Sequence, residues 1–126
     1  MHKALVLTAI ASFALTGCAA TAANPREGPA RLGQTVYVDG PRVTPVRVIE
    51  DSRCPVNVSC IWAGRVVLRA TVRGGAWAHT IDLTLGEPVQ VADGALTLTS
   101  VTPGRHADRR VAPRDYRFAF TFQGGL

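Results

Sequence analysis

From Thr35 onward, apolar and polar residues alternate with a period of two rather than 3.6, the pattern of half-buried β-strands. Thr35–Asp39 reads as a first short strand with Val36 and Val38 on one face. Val43–Glu50 follows, with Val46 and Val48 sharing a face and Pro45 marking an edge position or a bulge. Arg65–Arg73 alternates most clearly: Val66, Leu68, Ala70 and Val72 face one way, and Arg65, Arg69 and Arg73 the other.

Gly74-Gly75 is a two-residue hairpin signal. Such a loop pairs Val72 with Trp77, Leu68 with Ile81 and Val66 with Leu83. It also turns His79 inward opposite Ala70 and sets Asp82 opposite Val67, diagonal to Arg65 and Arg69. Pro88–Ala92 and Ala95–Thr102 bracket an Asp93-Gly94 turn. The last strand, Tyr116–Phe122, aligns Tyr116, Phe118, Phe120 and Phe122 on one face, a large aromatic contribution to the core. Seven short strands without a helical segment predict an all-β fold, a single small antiparallel β-sandwich or barrel.

The beginning of the chain follows a different pattern. His2 and Lys3 precede an apolar run, Ala4–Leu15, which is too short to span a bilayer and suits the core of a signal peptide. It ends in Leu15-Thr16-Gly17-Cys18, which resembles the lipobox of bacterial lipoproteins. That resemblance implies that residues 1–17 are a lipoprotein signal peptide and that Cys18 is acylated. It further implies outer-membrane anchoring facing the periplasm in a Gram-negative host, because Ala19 rather than Asp follows the cysteine. Residues 18–31 are small and polar, with Pro25, Gly28 and Pro29, and read as a flexible tether. Residues 32–126 remain for one β-sandwich domain.

Lipidation of Cys18 leaves two cysteines, Cys54 and Cys60, and export supplies the oxidising setting in which they pair. Five residues lie between them, wider than the usual redox or zinc spacings. A disulfide here closes a seven-residue ring, worth about 2.4 kcal/mol by loop entropy. Pro55 stiffens the ring, Asp51 and Ser52 are turn-formers, and Trp62 is expected to pack its indole on the ring from the core side.

Candidate chemistry is sparse. Only His79 and His106 remain after signal removal, neither has a partner at metal-ligand spacing, and no H-x-x-x-H or C-x-x-C occurs. Glu50 and Asp51 are sequence neighbours and so point to opposite faces of an extended strand. These features predict a non-enzymatic protein without a metal or other cofactor.

The net charge is +5, and every basic residue after Lys3 is arginine, the side chain suited to forked recognition of carboxylate or phosphate. Arg53, Trp62, Arg65 and Arg69 are the candidate binding residues, facing an anionic envelope component or a periplasmic protein. The envelope address argues against nucleic acid as the partner.

Beyond the lipobox, the chain resembles a group of small, uncharacterised bacterial lipoproteins. The likeness is carried by Asp51-Ser52-Arg53-Cys54-Pro55, then Cys60, then Trp62-Ala63-Gly64. Leu85-Gly86-Glu87 and Val101-Thr102-Pro103 add to it. The resemblance implies a cell-envelope setting and brings no activity with it. The expected function is a binding or structural module of the envelope. The alternative is an inhibitor or partner of a periplasmic enzyme that presents the Cys54–Cys60 loop.

Overall fold

The computed structural model describes residues 28–124. The expected signal peptide, the lipidation of Cys18 and most of the tether lie outside them. Seven strands follow one another: β1 (Val36–Tyr37), β2 (Arg42–Asp51), β3 (Val66–Arg73), β4 (Ala78–Thr84), β5 (Pro88–Val91), β6 (Gly94–Thr102) and β7 (Arg117–Gly124). They form two antiparallel sheets in the orders β1-β2-β3-β4 and β5-β6-β7. The sheets enclose one core and do not close into a barrel, so of the two expected architectures the sandwich is the one found.

The alternation in β3 is realised directly: Val66, Leu68, Ala70 and Val72 are fully buried. Leu83, Leu96, Leu98 and Phe118 meet them from the neighbouring strands. At the crossing between sheets, Leu85 N–H donates to Val66 O (2.9 Å) and Gly86 N–H to Leu98 O (2.8 Å).

Three registers differ from the sequence expectation. The β3–β4 hairpin pairs Val72 with His79, Leu68 with Leu83 and Arg69 with Asp82, two residues away from the register a Gly74-Gly75 loop imposes. The turn is moved along by one residue: Trp77 O accepts the Gly74 N–H (3.0 Å), which pairs these two and leaves Gly75-Ala76 as the loop, while the indole lies across Gly74. A Cβ on Gly74 would fall 2.2 Å from that ring. His79, expected inside opposite Ala70, is instead exposed and stacks on Trp77 with ring centroids 5.4 Å apart.

In β2, register shifts lie between Pro45 and Arg47 and between Val48 and Glu50. Each inserts an extra residue and turns it outward. Val46 and Ile49 are therefore exposed, while Pro45 and Val48 face the core; Val46 and Val48 do not share a face. Between β5 and β6, Val91 pairs with Gly94, so the turn is Ala92-Asp93 and Ala92 takes a positive φ of 53°.

The start of the domain also moves. Ala30 is completely buried and bridges Phe118 through paired backbone hydrogen bonds (2.8 and 2.9 Å). The last part of the expected tether is thus packed into the fold. Along β7, Tyr116 and Phe118 are buried, whereas Phe120 and Phe122 are only partly so.

Candidate functional site

The loop Asp51–Gly64, between β2 and β3, is held by backbone pairs at its mouth. Ser52 N–H donates to Arg65 O (2.8 Å) and Cys54 N–H to Ala63 O (3.1 Å). The Ser52 hydroxyl accepts the Arg65 N–H at 3.0 Å, as its turn-forming character suggested. Gly64 is obligatory here: it has φ +68°, and a Cβ would lie 1.8 Å from Ser52 O. The Cys54–Cys60 disulfide is formed, with Cα atoms 5.8 Å apart.

Arg53 locks the loop to the opposite sheet. Its Nε and Nη2 fork onto the Asp51 carboxylate, each at 2.8 Å. Nη1 donates to Val101 O (2.9 Å) and Nη2 to Pro103 O (3.0 Å). Tyr116 donates its hydroxyl to the same carboxylate at 2.7 Å. The arginine and aspartate side chains are 16% and 9% exposed, so the pair is largely dry.

Burial by itself raises the Asp51 pKa, but hydrogen bonds from Arg53 and Tyr116, with the Arg53 charge, outweigh it and hold the carboxyl below its ordinary value. Burial and the bond to Asp51 push the Tyr116 phenol up to about 12. Further along, Arg105 donates from Nη1 to Arg53 O (2.7 Å), Val56 N–H to Arg105 O (2.7 Å), and Ala107 N–H to the Asn57 side chain (3.0 Å).

Arg53 was expected to offer its charge to a ligand. The structure assigns it to the fold instead: four hydrogen bonds occupy its guanidinium. Arg65 and Arg69 are also engaged. Arg65 pairs with Glu50 across β2, and Arg69 meets Asp82 directly opposite at 3.0 and 3.3 Å. Of the two arginines expected to share it, Asp82 meets Arg69 and not Arg65; the hydrogen bond from Arg69, with the Arg69 and Arg47 charges, holds its carboxyl below the ordinary range. The arginine row is present, but two of its three cations, Arg65 and Arg69, are committed to carboxylates, and only Arg73 forms no ion pair among the described residues.

Trp62 departs furthest from expectation. Its indole does not pack on the ring; Trp62 is 82% exposed and its neighbour Ile61 94%. Val56 and Val58 are also exposed on the ring. The loop is thus clamped at its base and exposes large apolar side chains to solvent, Ile61 and Trp62 next to the mouth bond at Ala63. Beside it lies an open cleft of about 290 Å³, lined by Val56, Pro103, His106, Arg109, Arg110 and Asp115.

Sequence reasoning missed the Asp51–Arg53–Tyr116 cluster. One signal was available: residues two apart on an extended segment share a face, which puts Asp51 and Arg53 within reach of each other. Tyr116 is 65 residues further on, and nothing local connects it to Asp51. Among the described residues, no three His, Cys, Asp or Glu side chains gather as metal ligands would. No protein family, curated protein or solved structure matches the chain.

Proposed function

We propose that this protein is a cell-envelope binding module, anchored through a lipid on Cys18, which recognises a protein partner with the exposed Ile61 and Trp62 of the Asp51–Gly64 loop. The observation that carries the reading is the exposure of Ile61 and Trp62 on a loop anchored at its base. Large apolar groups in water are stabilised by burial in a partner, and tryptophan is enriched among the residues that dominate binding energy. The disulfide and the Arg53 clamp reduce the conformational entropy lost on association.

The occupant that fits exposed apolar side chains on an anchored loop is an apolar surface or pocket on another protein. The same exposure supports the second reading, in which the loop enters the cleft of a periplasmic enzyme and blocks it. In both readings the protein acts by contact and performs no chemistry.

Tagged full-length protein and its Ile61→Ser/Trp62→Ser variant, recovered from solubilised envelopes under identical conditions, test the reading. A partner retained by the wild type and lost by the folded variant is the expected result. Equal retention by both would overturn it. Hydrolase assays on the recovered complex then distinguish an inhibited enzyme from other partners.

A further inference from the structure

The outer face of the four-stranded sheet is organised in rows across the strands. Tyr37, Arg42, Arg73 and Ala78 form one row in register. Thr44, Thr71 and Thr80 form the next, followed by Arg47, Arg69 and Asp82. Arg69 has its carboxylate in Asp82. Arg42 and Arg73 stand directly opposite one another, both exposed, and neither forms an ion pair among the described residues. Asp39, exposed at the nearby β1–β2 turn, is not bridged to either.

Directly opposed residues on antiparallel strands have Cβ atoms about 4.5–5.5 Å apart, and like charges there work against pairing. An anion between the two guanidinium groups removes that repulsion, and phosphate matches their forked donors. Tyr37 is 39% exposed in the same row, and tyrosine is a side chain suited to the headgroup region of a bilayer.

Where the chain enters the fold supplies the second observation. Gly28 lines a shallow depression with Tyr37, Val38, Asp39, Ala119 and Phe120. It therefore lies beside the Arg42 row, while the disulfide loop sits at the opposite end of β2. Cys18 is ten residues before Gly28, a reach of at most about 35 Å. The ten-residue β2 is itself roughly 33 Å long. The tether alone would thus permit either end of the domain to meet the bilayer.

We propose that the Arg42–Arg73 end is a docking surface for an anionic phospholipid membrane, and that this contact turns the Asp51–Gly64 loop away from the bilayer. Lipidation of Cys18, the anchor in the proposed function, supplies proximity; the arginine pair supplies orientation. An acyl anchor fixes the chain to the membrane without choosing its pose. The cleft beside the disulfide loop carries Arg109 and Arg110, so the number of charges does not choose the end; the directly opposed Arg42 and Arg73, with Tyr37 in their row, supply the paired geometry that suits a lipid phosphate. Ile61 and Trp62 are then free to meet a partner from the aqueous side.

The two tryptophans provide the test, since Trp77 sits in the turn after Arg73 and Trp62 in the disulfide loop. Full-length processed protein carrying Trp62→Phe or Trp77→Phe is mixed with phosphatidylcholine vesicles, with and without phosphatidylglycerol. Both vesicle types bear a headgroup-linked spin quencher. Trp77 emission is expected to be quenched on the anionic vesicles, with Trp62 spared. Arg42→Gln/Arg73→Gln, verified as folded by circular dichroism, should abolish that contrast.

Quenching of Trp62 as strong as that of Trp77 would overturn the proposal, as would a contrast unaffected by the arginine substitutions. So would its loss to millimolar inorganic phosphate at constant ionic strength, which would assign the pair to a small anion. Failure of the protein to attach to neutral vesicles would reject the lipid anchor alone, because the contrast on anionic vesicles still reads the orientation.

Discussion

The Tyr116 hydroxyl stands 2.7 Å from Oδ2 of Asp51, joining the end of β2 in one sheet to the segment leading into β7 in the other. Arg53 reaches the same carboxylate and continues to the carbonyl oxygens of Val101, near the end of β6, and of Pro103, just after it. The loop and the sandwich therefore share one polar cluster. Its integrity determines whether Ile61 and Trp62 are held in a defined place.

Asp51→Ala leaves the Arg53 guanidinium largely buried without its anion. Removal of one partner from such a pair costs about 3–5 kcal/mol, a large share of the 5–15 kcal/mol usual for a domain. Tyr116→Phe removes a single bond to a charged acceptor and should cost less, about 1.5–3 kcal/mol. Urea denaturation of both variants checks the order; equal and small effects would remove the cluster's structural role.

The same cluster sets the pH limits. The folded Asp51 carboxyl has a lowered pKa, so its contribution is present above the unfolded value of about 3.9. It declines as pH falls through the lower folded value. Tyr116 works in the other direction: its phenol is raised to about 12, so stability falls as pH rises from about 10, where the unfolded tyrosine ionises. An ultraviolet pH titration should show a late-ionising tyrosine that Tyr116→Phe abolishes.

Gly64→Ala introduces both a backbone conformation unfavourable to alanine and a collision with Ser52 O. A cost of about 2–4 kcal/mol is expected, concentrated in the loop. Hydrogen exchange should speed up at Ser52, Cys54 and Arg65, whose amides bond across the mouth, while β6 and β7 remain protected.

Phe118→Ala should cost about 3–5 kcal/mol, because Phe118 is fully buried. Phe120→Ala should cost less, since that ring only packs on the margin of the core. Thermal denaturation of the two variants checks the difference.

The inner face of β3 and the existence of each strand were legible because one buried face requires alternation, and alternation is local. Register was not. The pairing of Gly74 with Trp77 moves the hairpin turn to Gly75-Ala76, and the shifts after Pro45 and Val48 turn Val46 and Ile49 outward. Both depend on contacts between side chains or strands that periodicity does not encode. At the candidate site, the cysteine pair and the arginine row could be read, but the destinations of the guanidinium groups could not. Arg53 is satisfied by Val101 and Pro103, 48 and 50 residues away. The place of Trp62 next to the ring in sequence suggests packing against it, yet the loop is anchored by Arg53 and the indole stays in water.

Ile61 and Trp62 on the disulfide loop, rather than the sheet faces, are the surface proposed to contact a protein partner in the envelope. Site-specific photocrosslinking in intact cells tests it most directly, with the reactive side chain placed at Ile61 or, as control, at Thr80 on the outer sheet face. A discrete protein adduct from position 61, absent from position 80 and lost when Trp62→Ser is added, is the predicted result. No adduct at 61, or the same adduct from both positions, would contradict the account.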